Sequence, residues 1–332
     1  STLIMYWSQV RVLAGPPKIN KMKTIICITP INHLKDFKKE FRKYGKLIYK
    51  PYIKKDELKK ILKKKNINTI FCNPNSQGYI LDKFILKGSA IKLINTASTG
   101  LNHINLKDCK KLGIKILSLT KDQKLIQQLP STSELAFGLM INLLRNIIKS
   151  FDSVKKKNWN YSPFVGKELA SLTIGIIGLG RLGNFMGKYS KAFGMKVFYF
   201  DPFKKSGKFK KTNLKKLIEI SDVISIHAHV SDTTKYMINK KILKYSKKRP
   251  IIINTSRGEL VKEKDIIWAL KNQLISGYGT DVIEKEFSDI RKSPIIKNIE
   301  KYNIIVTPHI GGMTFHGQLR AYNFALKKFK YN

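Results

Sequence analysis

The amino-acid sequence predicts an α/β protein made of two units, each built on a parallel sheet. From residue 23 onward, short apolar runs alternate with amphipathic stretches, a pattern typical of parallel strands joined by helices. The 332 residues are enough for two domains. Apolar runs occur both before and after a long helical stretch near the middle of the chain, which indicates two such units.

The first unit is predicted to contain five strands, with helical patterns between them, for example at 33–44 and 55–65. The long helix is expected at 131–150, because an N-cap cluster (S-T-S-E) follows Pro130 and apolar residues then recur at every fourth position. The five strands are expected at 23–29, 46–50, 68–72, 92–95 and 114–117.

The second unit opens on an apolar run at 172–177, followed at once by the glycine-rich loop G-L-G-R-L-G at 178–183. A helical stretch and a second apolar run, 195–200, lead to Asp201. A final helix is expected at about 316–329. Further strands are expected at 222–226, 250–253, 276–280 and 303–306.

The order of strand, glycine loop, helix, strand and acid predicts a Rossmann-like site for a dinucleotide. Gly178 permits the tight turn out of the strand, Gly180 lets the backbone approach a pyrophosphate, and Gly183 lets the helix pack on the sheet. The helix that begins near Arg181 and Leu182 directs free N–H groups at the phosphates.

Asp201 stands 18 residues after Gly183, close to the spacing of an acid that binds a ribose 2′-hydroxyl. A carboxylate there repels a 2′-phosphate, so NAD is favoured over NADP. Lys204 and Lys205 follow closely and weaken that preference.

Three polar segments follow predicted strands of the second unit: N-T-S-R-G at 254–258, D-V-I-E-K-E at 281–286 and T-P-H-I-G-G at 307–312. Each is therefore expected at a carboxyl edge, where open α/β sheets bind ligands. Reduction of a 2-keto acid needs a proton donor, a cation for the carboxylate and an acid beside the donor. His309, Arg257 and Glu286 supply these types, although a lone His is more often structural and a lone Arg more often part of a surface ion pair.

With these motifs in this order, residues 23–330 resemble the D-isomer-specific 2-hydroxyacid dehydrogenases. The resemblance implies two Rossmann-like domains, a flavodoxin-like substrate-binding domain and an NAD-binding domain, with the active site in the cleft between them. It also implies that Arg257 binds the substrate carboxylate and carbonyl. Protonated His309 would donate a proton to the carbonyl oxygen, and Glu286 would favour the charged form of His309. An acid at position 286 argues against the formate dehydrogenases of this superfamily, which carry an amide there.

The resemblance implies further binding residues. In the segment 96–102, Ser98, Thr99 and Gly100 would hold the substrate carboxylate, although a plain strand-to-helix turn explains the same residues. Two positions depart from the family pattern, since His229 and Phe287 stand where proline is usual. Besides the glycine loop and Asp201, the implied cofactor-binding residues are His227, Thr234, Thr255, Asp281 and Gly311.

The family topology implies a discontinuous substrate-binding domain, 22–122 plus 308–332, around an NAD-binding domain at 123–307. Helix 131–150 would lie at the interface of a homodimer. Residues 1–21 are poor in lysine and precede Met22, so we expect a leader that is non-native or disordered.

Composition limits the other classes of function. The 64 Lys and Arg against 22 Asp and Glu give a formal charge of +42, which would suit a nucleic-acid partner. However, the lysines are spread along the chain and only eight of the basic residues are Arg, so no specific nucleic acid is expected. No apolar run reaches the length of a membrane span. The three widely spaced cysteines indicate neither a disulfide framework nor a metal site, and they fit the cytoplasm.

The sequence thus predicts an oxidoreductase that transfers a hydride between NAD(H) and a D-2-hydroxy acid or 2-keto acid. The alternative is a catalytically weak NAD-sensing binding protein of the same fold, similar to the corepressors that retain the three catalytic residues. Enzymes of the family that act on phosphoglycerate need cations to bind the phosphate. The corresponding segment here, 71–76, contains no cation, which favours an unphosphorylated 2-keto acid such as glyoxylate or hydroxypyruvate.

Overall fold

The computed structural model describes residues 23–64, 66–74, 77–286 and 288–331, so the predicted leader and Phe287 lie outside the described residues. The first sheet has five parallel strands. They are β1 (Lys23–Cys27), β2 (Gly45–Tyr49), β3 (Thr69–Cys72), β4 (Leu93–Thr96) and β5 (Lys115–Leu117). Their order across the sheet, β2-β1-β3-β4-β5, is the flavodoxin-like order that the resemblance implied.

The second sheet has seven parallel strands. They are β6 (Thr173–Ile177), β7 (Lys196–Phe200), β8 (Lys210–Lys211), β9 (Val223–Ile226), β10 (Ile251–Asn254), β11 (Gly277–Thr280) and β12 (Ile304–Val306). Their order is β12-β11-β10-β9-β6-β7-β8, so the direction of winding reverses between β6 and β9. A reversal of this kind opens a crevice at the carboxyl ends of the strands. The predicted pair of parallel α/β units is confirmed.

Helices connect the strands of both sheets. They are α1 (Phe37–Phe41), α2 (Lys55–Lys64), α3 (Lys83–Leu86), α4 (Leu106–Lys111), α5 (Gln123–Ile126), α6 (Ser131–Arg145), α7 (Ile147–Lys155), α8 (Arg181–Ala192), α9 (Leu214–Ile220), α10 (Lys240–Leu243), α11 (Glu263–Lys271), α12 (Pro294–Lys297) and α13 (Phe315–Lys327).

Two predicted helices are shorter than the apolar pattern suggested. The stretch 131–150 divides into α6 and α7 because Asn146 adopts a left-handed backbone conformation, with φ 54°. Asn tolerates this conformation better than most residues. Likewise, Asp36 has φ 58°, so the helix predicted at 33–44 is only α1.

The last helix returns the chain to the first sheet. Buried residues of α13, including Ala321, Tyr322 and Ala325, share one hydrophobic cluster with Ile25 and Phe71 of the first sheet. By contrast, α6 packs on the second sheet, where its buried residues share a cluster with β6 and β10. The chain therefore crosses between the units twice, once before and once after the strands of the second sheet. The carboxyl edges of the two sheets meet at a common cavity.

Candidate active site

A cavity of about 780 Å³ lies between the two units. The first unit contributes Ser98 and Thr99, which follow β4. The second contributes Asp281 and Glu286, which follow β11, and His309, which follows β12. Residues from three strand ends, far apart in the chain, thus line one space at the sheet edges, as parallel topology predicts.

The imidazole of His309 pairs with the carboxylate of Glu286, with 3.0 Å between Nδ1 and Oε2. The His309 side chain is 37% exposed and that of Glu286 19%, so the pair is shielded but open to a ligand. His309 has a left-handed backbone, with φ 55°, and its N–H donates to the carbonyl of Asp281. Residues with a left-handed backbone that is imposed by their surroundings are common at active sites and ligand-binding sites. Since Glu286 engages Nδ1, proton exchange with a ligand falls to Nε2.

The neighbouring Glu284 does not share this arrangement. Its carboxylate accepts a hydrogen bond from the hydroxyl of Tyr236. That interaction, with burial, raises the pKa of Tyr236 to about 12. The motif contains two glutamates, and the structure directs one of them, Glu286, at the histidine.

Arg257 lies beside the segment that follows β4. A Cβ added to Gly100 would stand 2.2 Å from Nη2 of Arg257, so the guanidinium lies directly against the backbone of this loop. Nη1 of Arg257 donates to the carbonyl of Ser256. The structure therefore brings Arg257 and the predicted carboxylate loop together, but Arg257 is not among the described residues that line the cavity. Within the loop, the Gly100 N–H donates to Oγ of Ser98, at 3.1 Å.

A buried histidine lies under this loop. His103 is paired with Oγ1 of Thr96 through Nε2, at 2.9 Å. Burial, with a smaller contribution from the charge of Arg257, lowers the pKa of His103 to about 4. His103 is therefore neutral at physiological pH, which leaves Arg257 as the cation beside the loop.

The glycine loop fits a dinucleotide. Gly178 has φ +89°, and a Cβ there would stand 2.7 Å from the carbonyl oxygen of His227. A Cβ on Gly183 would stand 2.1 Å from the carbonyl oxygen of Gly178, so the helix packs directly on the loop. A Cβ on Gly180 would meet open space. Because α8 begins at Arg181, its first N–H groups have no partner within the helix and are available to phosphate.

The carboxylate of Asp201 joins the end of β7 to the glycine loop. It accepts hydrogen bonds from the N–H of Leu179 (2.8 Å), Phe203 (2.8 Å) and Lys204 (2.9 Å). Its two oxygens have further lone pairs, so this fixed carboxylate can also accept from a ribose hydroxyl.

The other predicted cofactor residues lie in two environments. The buried atoms Nδ1 of His227 and Oγ1 of Thr255 have no hydrogen-bond partner among the described residues, and burial lowers the pKa of His227 to about 4. Orphaned polar atoms of this kind suit a site that a polar ligand completes. Thr234, by contrast, is engaged locally, since its hydroxyl donates to the carbonyl of His229 at 2.6 Å.

Asp281 is also already engaged. Its oxygens accept from the N–H groups of Ile310 (2.8 Å) and Gly311 (2.7 Å) and from the Thr307 hydroxyl (2.6 Å). Burial raises its pKa. This carboxylate therefore shapes the turn that follows His309.

Sequence reasoning missed other residues that line the cavity. Gln318 and Tyr322 reach it from α13, and Asn73 donates to the hydroxyl of Tyr322 at 2.8 Å. Leu129 also lines the cavity, and its carbonyl accepts a hydrogen bond from the guanidinium of Arg181, which the sequence had already assigned to the cofactor. In the sequence, Gln318 and Tyr322 look like part of an ordinary amphipathic helix, and only the return of α13 to the first sheet reveals their position.

Two features are absent from the described part of the chain. None of its helices is long and apolar enough to cross a membrane. The same residues contain no group of three or more His, Cys, Asp or Glu side chains that could hold a metal ion.

Each of the two units matches a known domain family. Residues 26–124 match the catalytic domain of the D-isomer-specific 2-hydroxyacid dehydrogenases, and residues 137–311 match the NAD-binding domain of the same family.

Known relatives agree with this match. The hydroxypyruvate reductase of Thermotoga maritima is 33% identical over 277 residues, which cover 81% of this chain and 85% of the relative. The D-3-phosphoglycerate dehydrogenase of Bacillus subtilis is 31% identical over 70% of this chain, but the match spans only 43% of that protein. The crystal structure of the Aquifex aeolicus D-lactate dehydrogenase complexed with NAD and lactic acid is similar, with a TM-score of 0.72 and 29% identity, covering 93% of this chain and 94% of that one.

Proposed function

We propose that this chain, which belongs to the D-isomer-specific 2-hydroxyacid dehydrogenase family, transfers a hydride between NAD(H) and a small D-2-hydroxy acid or its 2-keto acid. The observation that carries the proposal is the His309–Glu286 pair on the wall of a cavity shared by both units. An imidazole held by a carboxylate is the arrangement that a proton donor needs beside a carbonyl undergoing reduction.

In the direction of reduction, His309 acts as the general acid. Its Nε2–H donates to the substrate carbonyl oxygen, which takes up negative charge as the bond to hydrogen forms. Glu286, bound to Nδ1 at 3.0 Å, fixes the ring and stabilises the imidazolium form. In the direction of oxidation, neutral His309 accepts the hydroxyl proton.

Arg257 and the loop 98–100 hold the substrate carboxylate. The guanidinium already lies against Gly100, so a short movement toward the cavity would place its planar fork and the loop on the same anion. Among the described residues that line the cavity, basic side chains are limited to Arg181 and His309. Arg181 begins α8, where it would serve the cofactor, so the cavity offers few cations to a substrate phosphate, and this supports an unphosphorylated 2-keto acid.

Bound NAD(H) supplies the hydride. The glycine loop and the N-terminus of α8, with Arg181 and Leu182, would hold its pyrophosphate, and Asp201 would accept from its ribose. The orphaned atoms of His227 and Thr255 support contacts between these residues and the cofactor. The remaining predicted cofactor residues would shape the loops around the bound cofactor. They are Thr234, which holds the His229 carbonyl, and Asp281, which accepts from the Gly311 N–H.

The direct test is NADH consumption with a panel of 2-keto acids that includes glyoxylate, hydroxypyruvate and pyruvate, together with phosphohydroxypyruvate as the phosphorylated member. We expect turnover of an unphosphorylated acid and formation of the D-enantiomer where the product is chiral. NADH binding without turnover of any substrate would contradict the proposal and favour a binding protein of the same fold.

We propose the domain boundaries that the sequence predicted: 22–122 plus 308–332 for the substrate-binding domain and 123–307 for the NAD-binding domain. The hydrophobic cluster that α13 shares with the first sheet supports the discontinuous boundary. Limited proteolysis should release fragments cut near residues 122 and 308.

We also propose a homodimer. Apolar side chains are exposed on α7 and the segment after it, where Trp159 is 85% exposed, Tyr161 86% and Val165 83%. A concentrated apolar face of this kind usually marks a protein interface. Sedimentation should give a dimer for the wild type and a monomer for Phe151→Lys, a change at an exposed residue of α7. The control Phe84→Lys, at an exposed residue of α3 in the other unit, should remain dimeric. A monomeric wild type would contradict this proposal.

For location, we propose the cytoplasm, because all three cysteines are free and buried, as is usual in a reducing compartment. We expect no specific nucleic-acid partner. Cell fractionation tests the first point. DNA binding with sequence preference that persists at physiological salt would contradict the second.

A further inference from the structure

A buried carboxylate outside the cavity holds the segment that carries Glu286. Glu263, the first residue of α11, is only 2% exposed and is not among the described residues that line the cavity. Its Oε1 accepts from the N–H of Glu284 at 2.7 Å, and its Oε2 accepts from the hydroxyl of Ser293 at 2.6 Å. Glu284 lies two residues before Glu286 and Ser293 seven residues after it, so one side chain fixes both ends of the segment.

Each end of the segment is tied to further structure. Ser293 caps α12 by accepting from the N–H of Ile295 and, at 3.4 Å, that of Ile296. At the other end, the Glu284 carboxylate accepts from the Tyr236 hydroxyl. Both ends of the segment are therefore held by hydrogen bonds to other elements.

The turn that carries Arg257 packs against the same segment. A Cβ on Gly258 would stand 2.1 Å from the carbonyl carbon of Ile283, so the turn after Arg257 packs directly on the peptide that joins Ile283 to Glu284. Glu263 follows five residues later and binds the N–H of that peptide. The first residue of the stretch 258–263 and its last residue thus both contact the segment that carries Glu286.

Burying a carboxylate at this position is energetically unfavourable, which is hard to explain if the residue contributes to stability alone. Burial raises the pKa of Glu263, which shows that the charged form is disfavoured here despite two hydrogen bonds. A well-packed apolar residue is often equally stabilising in such a place. Moreover, Lys285, immediately before Glu286, has a left-handed backbone with φ 56°, a conformation that persists only where the surroundings impose it.

We propose that Glu263 is a positioning residue for the Glu286–His309 pair and acts through the backbone of Glu284 and the hydroxyl of Ser293. This inference rests on the proposed function, because it assigns Glu263 to the geometry of the proton donor. Glu263 touches neither substrate nor cofactor in this account.

The test compares Glu263→Ala and Glu263→Gln with Glu300→Gln, a control on an exposed glutamate. For Glu263→Ala we expect kcat to fall, but by no more than the roughly 10- to 30-fold expected when the Glu286 carboxylate itself is removed, because Glu263 acts only through that residue. The KM for the 2-keto acid should stay within about threefold and NADH affinity, measured by fluorescence, should be unchanged. Glu263→Gln should recover most of kcat, because its amide oxygen can still accept from the Glu284 N–H.

A second measurement needs no turnover. NMR titration of isotope-labelled His309 in the resting protein should show its midpoint move to lower pH in Glu263→Ala, in the direction that Glu286→Gln produces. If Glu263→Ala does not fold, Ser293→Ala removes one arm of the contact and should give a smaller shift of the same sign. A folded Glu263→Ala or Ser293→Ala protein with an unchanged His309 titration would overturn the inference. An inactive wild type in which the shift is still seen would instead contradict the proposed function alone.

Discussion

Replacing Glu286 with glutamine removes the negative charge beside His309 while keeping a hydrogen-bond acceptor of the same size. At the observed 3.0 Å, Coulomb's law gives roughly 1.4–5.5 kcal/mol for effective dielectric constants between about 80 and 20. The His309 side chain is 37% exposed, which favours the lower end of that range. We therefore expect the imidazolium to lose about 1.5–2 kcal/mol of stabilisation, equivalent to roughly 10- to 30-fold in kcat for reduction near neutral pH.

The pH profile gives the sharper assay. Reduction needs protonated His309, so activity falls on the alkaline side, and loss of the carboxylate should move that limb about one unit lower. Steady-state NADH consumption measured across pH tests this directly. Glu284→Gln is the matched control, because Glu284 lies in the same segment but pairs with Tyr236, and its profile should stay close to that of the wild type. A folded Glu286→Gln enzyme with an unchanged kcat and an unchanged alkaline limb would refute the reasoning.

Three further predictions follow from the site. His309→Ala should lower kcat by about 10²–10⁴, the usual contribution of a general acid, while NADH binding measured by fluorescence is retained; wild-type turnover would exclude the role. Asp201→Ala should erode the preference for NADH over NADPH, and an unchanged ratio of kcat/KM values would count against a ribose contact. His103 has a pKa lowered from 6.5 to about 4, so the unfolded chain binds more protons between these values and stability due to His103 falls as the pH falls through that window. In urea titrations, His103→Asn should therefore lose less stability than the wild type between pH 6.5 and 4, and parallel losses would contradict the assignment.

Much of the fold was predictable because parallel strands buried on both faces leave continuous apolar runs in the sequence. The family, the two-unit α/β architecture and the NAD-binding half are confirmed. The interruption of the predicted helix 131–150 depended on a single backbone angle at Asn146, which the apolar periodicity does not encode. Strand β8 was missed because its two residues, Lys210 and Lys211, are exposed and leave no apolar pattern.

The site was less completely predictable. The spacing of the motifs indicated that Glu286 and His309 could meet, and they do, whereas their roles stay predictions. Spacing did not indicate that Arg257 lies against Gly100 at the edge of the cavity, because that depends on how the two units pack. The sequence also did not reveal the role of Glu263. Acidic residues are common in the first turn of a helix because they interact favourably with the helix dipole, so Glu263 looked ordinary.

The central claim is that Arg257, Glu286 and His309 act on one substrate carbonyl beside the nicotinamide. The most direct measurement is a crystal structure of the protein with NADH and oxamate, an unreactive analogue of a 2-keto acid. We predict that the analogue's carboxylate lies on Arg257 and the loop 98–100, and that its carbonyl oxygen lies within hydrogen-bond distance of Nε2 of His309. An analogue bound in this cleft but out of reach of both Arg257 and His309 would contradict the account.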